Sequence, residues 1–237
     1  MGFGVSRAGL SPTLEVGVFV LCFDFDKGIV LPDNSYASTL YRLHPMEILI
    51  DEKTADGEPL GEMFLDLYKN NSFHMFNPPE ALILQNKSFM SLVWAIYRSG
   101  KYFDNHEREI IEKYLVPSYF EEDFVNLDKG KYICKEIWGR EGRNVYVVEK
   151  NNGQEKVVNE KLVDNYEDIV CRESNKSMYQ NFIEQQSFTH IVDSGEKNGF
   201  LTISCFMLFD QPSAISCRFS PEEIAGTEAY WCPMVIG

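Results

Sequence analysis

The run Tyr132-Ile133-Cys134-Lys135-Glu136-Ile137-Trp138-Gly139-Arg140-Glu141-Gly142-Arg143-Asn144-Val145 gathers residue types that suit phosphate chemistry. It begins as an apolar, strand-like stretch with one lysine at its end. Two glycines then bracket Arg140 and Glu141, and a second strand-like stretch follows at Val145-Tyr146-Val147-Val148. A strand, a glycine-bearing turn with cations at its mouth and another strand make a flap able to cover a polyphosphate. Glycine lets backbone N–H groups approach phosphate oxygens, and Lys135 adds a compact point charge. The same residues also suit an ordinary surface hairpin whose charges are solvated. Lys87, after Asn86, stands at the entrance of an apolar helical stretch. The helix dipole disfavours a cation there, so an anion or solvent must compensate it.

The elements that must position these residues follow from apolar periodicity and turn signals. Val16–Phe25 reads as a strand, turned by Asp26-Lys27-Gly28 into Ile29–Leu31. Leu60–Tyr68 reads as a helix. A longer helix from Ala81 to Arg98 is expected to bury Phe89, Leu92, Val93, Ile96 and Tyr97, with Ser99-Gly100 ending it. Glu107–Tyr114 is a further helical segment, stopped by Val116-Pro117. The hairpin spans Lys131–Glu149, and Glu155–Asp168 reads as a polar connector. Met178–Ile183, Gly199–Phe209, Ala214–Arg218 and Tyr230–Val235 read as strands. Helices mixed with hairpins, without regular β-α-β alternation, indicate an α+β fold. The expectation is one domain, with residues 131–158 as a mobile lid-like hairpin.

Composition narrows the function. A chain of 237 residues supports a substantial core. Its formal charge of −14 excludes a nucleic-acid surface, so any phosphate site is a local cluster of Lys and Arg on an acidic body. The six cysteines (Cys22, Cys134, Cys171, Cys205, Cys217, Cys232) are far apart, with no C-x-x-C pair, and the four histidines are dispersed. Such spacing suits reduced thiols in a cytoplasmic protein and offers no zinc site. The most apolar early run, Val16–Phe25, is too short to span a membrane and carries Asp24, with Asp26 just beyond it.

Several blocks in order resemble the glutathionylspermidine synthase-like ATP-grasp family. The segment around Lys135 resembles its K-P-x-x-G-R-E-G-x-N-V signature. Leu40-Tyr41-Arg42-Leu43-His44-Pro45-Met46-Glu47 is similar to its L-Y-P-W-E stretch, and Pro79–Lys87 to its segment ending in S-N-K. Met178–Glu184 is similar to its Y-Q hinge, and Gly199-Phe200-Leu201 through Ser216-Cys217-Arg218 to its closing strands and their arginine. The resemblance covers about Leu40 to Ile236.

This resemblance implies an ATP-grasp-type body that binds ATP. Lys87 and Lys135 would face each other across a cleft and neutralise the triphosphate. Arg140, Glu141 and Gly142 would cover the phosphates. The backbone of Gln180, Asn181, Phe182 and Ile183 would read the adenine edge, with Glu184 near the ribose. Arg218 would stabilise charge on the transferring phosphoryl group. Glu223 and Ile224 would fall near a further nucleotide-contacting loop, and Arg42 and Leu43 near the acceptor. Solvent exposure or a structural ion pair is the alternative for Lys87, Arg140, Glu141, Glu184 and Arg218. In the family a carboxylate attacks the γ-phosphate of ATP, and an amine displaces the resulting acyl phosphate, with Mg2+ bridging the phosphates. The implied substrates are a glutathione-like or peptide acid and a polyamine-like amine. Two departures stand out. Lys135 is followed by Glu136 where the family has proline, and the metal-bearing G-R-x-D and E-Y-N-A-D-T-P segments have no counterpart in residues 1–39. The expectation is therefore a carboxylate–amine ligase or its nucleotide-binding C-terminal half, lacking the N-terminal part of the family fold: a fragment, a split subunit with a separate N-terminal half, or a decayed copy. The alternative is a noncatalytic binding or interaction module derived from the ATP-grasp fold.

Overall fold

Phenylalanine packing organises the first of two compact units, which runs to Gln85; the second begins at Asn86. The computed structural model describes residues 22–42, 44–54, 56–161, 176–192, 195–226, 228–232 and 234. In the first unit, β1 (Cys22–Asp24) and β2 (Gly28–Val30) form a hairpin that sets Phe23 opposite Ile29. The start of the expected Val16–Phe25 strand lies outside the described residues. The strands β3 (Thr39–Tyr41) and β4 (His74–Phe76) pair in parallel, and α1 (Met46–Leu49), α2 (Leu60–Lys69) and α3 (Leu82–Gln85) complete the unit. Leu60, Phe64 and Leu67 lie on one face of α2, as the helical spacing requires. They meet Phe23, Ile29, Met46, Leu49 and Phe73 in a buried core, where the Phe64 ring stands edge-on to Phe23.

The helix expected from Ala81 to Arg98 is broken in two. The Asn86 side chain accepts from the Ser88 N–H at 2.8 Å, a local alternative to the helical ladder. The chain re-enters helix as α4 (Ser88–Ser99), which Gly100 ends with a left-handed φ of 70°. Its buried positions are Ser91 and Trp94, and the expected core residue Leu92 is 45% exposed. The reason is a polar docking contact: Ser91 Oγ donates to the Tyr119 carbonyl at 3.0 Å. Then α5 (Asn105–Tyr114) starts with a reciprocal capping box between Asp104 and Glu107.

A five-stranded antiparallel sheet carries the central hairpin. It comprises β5 (Ser118–Phe120), β6 (Gly130–Glu136), β7 (Val145–Asn151), β8 (Gln154–Lys161) and β9 (Ser177–Asn181), in the order β5-β9-β6-β7-β8. The polar stretch from Glu155, expected as a connector, is strand to residue 161. Asn152 and Gly153 are both left-handed (φ 50° and 75°), which folds β8 back onto β7. The rest of that stretch lies outside the described residues. Because β6 bonds to β9 on one side and β7 on the other, the strands of the expected lid belong to the sheet. Lys150 anchors them further, donating to the Phe124 and Val125 carbonyls at 2.8 and 3.1 Å from a buried position at the end of α6 (Glu121–Val125). Within the expected lid, the turns Ile137–Asn144 and Asn152-Gly153 stand outside the ladder.

The second sheet is β10 (Ser187–Val192), β11 (Gly195–Leu208), β12 (Gln211–Ser220) and β13 (Tyr230–Cys232), in chain order. It curls on itself: His190 of one edge strand comes to Cys232 of the other, at 3.5 Å. Gly199 permits the curl. A Cβ there would stand 2.2 Å from the Ser220 carbonyl oxygen and 2.6 Å from the Phe219 ring. Among the described residues no helix is long and apolar enough to cross a membrane. Gly199→Ala is expected to cost about 3 kcal/mol, since backbone and a fully buried ring must both give way. A urea midpoint unchanged from wild type would refute this account of the curl.

Candidate functional site

Lys87 and Lys135 line the same cavity, of about 270 Å³. Lys135 is delivered by the last turn-ward part of β6, whose pairing with β9 fixes it opposite Met178. Lys87 is delivered by the break before α4: its backbone N–H donates to the Ile137 carbonyl at 3.0 Å, and its Nζ donates to the Gly139 carbonyl. The entrance of α4 is thus tied to the turn that follows β6. Lys135 Nζ donates to Gln180 Oε1 at 2.9 Å, and the Gln180 amide donates on to Ser118 Oγ at 3.1 Å. Burial pushes both lysines below the ordinary amine range. The nearby Lys87 charge adds to the depression at Lys135, whereas Glu136 opposes it at Lys87.

The turn closes the cavity from above. Glu141, Gly142 and Asn144 are all left-handed, with φ of 53°, 70° and 49°. Gly142 is required: a Cβ would lie 2.4 Å from the Ala225 carbonyl oxygen. The Glu141 carboxylate pairs with Arg143 at 2.6 Å. Arg140 lines the cavity beside it. Asn144 Nδ2 donates to Glu136 Oε1 at 2.9 Å, which holds that carboxylate at the cavity wall. The opposite wall is Thr202 of β11 with Glu223, Ile224 and Ala225 of the loop after β12.

The remaining sequence-derived residues divide. Gln180 and Asn181 belong to β9, which is hydrogen-bonded on both sides; the Asn181 N–H goes to the Pro117 carbonyl and the Phe182 N–H to Lys131. The Asn181 and Phe182 N–H groups are thus bonded within the protein. Ile183 follows the strand and is 58% exposed. Glu184 accepts from Lys131 Nζ at 2.9 Å, in an exposed pair. Arg218 is opposite both Thr202 and Trp231, hence on the same face as the cavity residue Thr202. Its guanidinium lies 5.6 Å from the Trp231 ring centre, and its buried Nε has no hydrogen-bond partner among the described residues. Arg42 instead clamps a loop of the first unit, through the His44 and Asn77 carbonyls; Leu43 lies outside the described residues. Sequence reasoning missed Thr202 and Gln185. Neither stands out by residue type, and only the register of β11 and the Gln185 bond to the Glu223 carbonyl bring them in.

Residues 15–237 match the family described as glutathionylspermidine synthase preATP-grasp. The chain belongs to that family. A Haemophilus influenzae protein named "Putative acid--amine ligase" is 29% identical over 116 residues. That stretch covers 49% of this chain and 24% of the relative, so the match spans about a quarter of the curated relative's length.

The magnesium implied by glutathionylspermidine synthase-like chemistry finds no ready ligand set here. Among the described residues no group of three or more His, Cys, Asp or Glu is placed to hold a metal ion. Two of the cavity carboxylates, Glu136 and Glu141, are committed to Asn144 and Arg143. The described residues around the cavity therefore do not gather a magnesium ligand set.

The depressed lysines give a signed pH dependence. Between the lowered pKa of Lys135 and its ordinary 10.5, the folded state binds fewer protons than the unfolded chain, so stability of the free protein rises with pH. Lys135→Met lacks that contribution. Wild type should gain on the variant with a slope of at most about 1.4 kcal/mol per pH unit as pH approaches about 10. Paired urea titrations measure this; a pH-independent difference would count against a desolvated Lys135.

Proposed function

We propose that the cavity binds the phosphates of ATP, and that the chain is an ATP-dependent carboxylate–amine ligase or the nucleotide-binding part of one. The observation that carries this reading is the convergence of Lys87 and Lys135 in one cavity under a glycine turn. Two ammonium groups held together and partly stripped of water are poorly compensated unless a polyanion joins them. The family and the name of the relative point to acid–amine ligation. A cavity of about 270 Å³ is at the small end for ligand sites. It suits the phosphate end of a nucleotide better than the whole molecule.

In this reading Lys135 and Lys87 neutralise the oxygens that gain charge as the γ-phosphoryl group moves to the attacking carboxylate. The turn around Gly142 lies over the same oxygens and excludes water. Arg218, with an unpartnered Nε on the Thr202 side of its sheet, is the group proposed to stabilise the transferring phosphoryl. The amine then displaces phosphate from the acyl phosphate. The acid is a glutathione-like or peptide carboxylate and the amine is polyamine-like. A separate N-terminal half is the proposed source of the metal ligands. The turn Ile137–Asn144, rather than the hairpin strands, is the part proposed to move.

Titration with a fluorescent ATP analogue, with and without a supplied N-terminal half, tests the reading. Lys87→Met and Lys135→Met should each weaken binding by about 10- to 100-fold, the loss of one charge-assisted hydrogen bond. Binding that neither substitution alters would exclude the cavity as the phosphate site. Glu136→Gln should tighten binding about fivefold, because one like charge leaves the wall. Release of ADP on adding a tripeptide acid and a polyamine would establish ligation, whereas binding without turnover in either setting would favour a noncatalytic module.

A further inference from the structure

The curled sheet brings together a second cluster, independent of the nucleotide reading. Cys217 of β12 and Cys232 of β13 are directly opposite in the antiparallel register, and both are free thiols. Directly opposite residues hold their Cβ atoms about 4.5–5.5 Å apart, and a disulfide needs about 3.5–4.5 Å. The required adjustment is small, and β13 is a three-residue edge strand with few ladder bonds to resist it. Burial pushes the Cys217 thiol up, and the neighbouring Cys232 pushes it in the same direction, so the two sulfurs sense each other.

Cys232 is the accessible member of the pair. Its Sγ lies 3.5 Å from His190 Nε2, which takes the thiol proton in the tautomer protonated at Nδ1. The His190 ring rests against Phe219, with centres 5.2 Å apart. Lys197 is opposite His190 in register, and its Nζ is 5.7 Å from the centre of the Tyr230 ring. A base beside a partly exposed thiol is a setting that makes a cysteine reactive. Of the other described cysteines, Cys134 is buried in the core and Cys205 has a weak contact to its neighbour's carbonyl.

We propose that Cys217 and Cys232 form a reactive dithiol site that small-molecule disulfides close into an internal disulfide, with Cys232 attacking first. The Cys232 thiol gives its proton to His190, and the thiolate attacks one sulfur of the disulfide RSSR. The S–S bond breaks, a mixed disulfide Cys232–S–SR forms, and RS⁻ leaves and is protonated. Cys217 then loses its proton to water and attacks Sγ of Cys232, releasing the second RSH. Two protein thiols are oxidised and one RSSR is reduced to two thiols. The new bond fastens β13 to β12 one residue from the Arg218–Trp231 pair.

Treating the full chain with hydroxyethyl disulfide tests this. Wild type should lose two of its six titratable thiols and yield a linked pair of peptides carrying Cys217 and Cys232. Cys217→Ser should stop at a mixed disulfide on Cys232, and Cys232→Ser should leave Cys217 unmodified over the same time. His190→Asn should slow the first step about tenfold or more, because the group that takes the thiol proton is lost. A stable mixed disulfide on Cys232 of wild type, or thiol loss spread over the other cysteines, would overturn the proposal. The wild-type peptide map decides this even if a variant fails to fold.

Discussion

Like charges crowded into a partly desolvated space repel each other, and a fold that tolerates this must fix both groups from independent supports. Lys135 is held by β6, an inner strand bonded on both edges, and by the amide of Gln180. Lys87 is held by a helix entrance whose own backbone N–H is bound to the residue after β6. The ladder, the helix break and the turn therefore converge on one outcome, two ammonium groups in one cavity. The lowered pKa of each records how imperfectly protein groups alone compensate them. That imbalance is the basis for reading the cavity as an anion site.

The turn above the lysines is shaped as much by its neighbours as by its own residues. Gly142 sits against the Ala225 carbonyl where no side chain fits, and Glu141 is turned aside by Arg143. Glu136, which stands where the family has proline, is kept at the wall by Asn144. The cavity consequently mixes cations with a fixed carboxylate, a balance that tunes how much negative charge it accepts. The loop after β12 supplies the other wall, so the geometry of the curled sheet enters the site through Thr202 and Ala225.

The same curl explains the thiol cluster. Two edge strands that are not neighbours in the sheet approach each other, and at Gly199 the Ser220 carbonyl and the Phe219 ring come close where a side chain would not fit. One glycine thus underlies a packed Phe219, a histidine beside a thiol and the seat of the strand bearing Arg218.

Local chemistry made some elements legible from the residues alone. The apolar face of Leu60, Phe64 and Leu67, the left-handed stop at Gly100 and the strands on either side of the glycine turn all follow from spacing and from what glycine permits. The order of motif blocks carried the family, and the types of Lys87, Lys135 and Gly142 singled out residues that the cavity gathers. Tertiary contacts decided the rest. Asn86 broke the long helix because Lys87 had a distant carbonyl to bind; Ser91 displaced Leu92 from the buried face because Tyr119 offered an acceptor. The hairpin became part of a sheet because β9 returned to pair with β6. A sequence displays periodicity and residue type, which are local, whereas the partner of a backbone group or a charge is set by whichever segment the folded chain brings beside it.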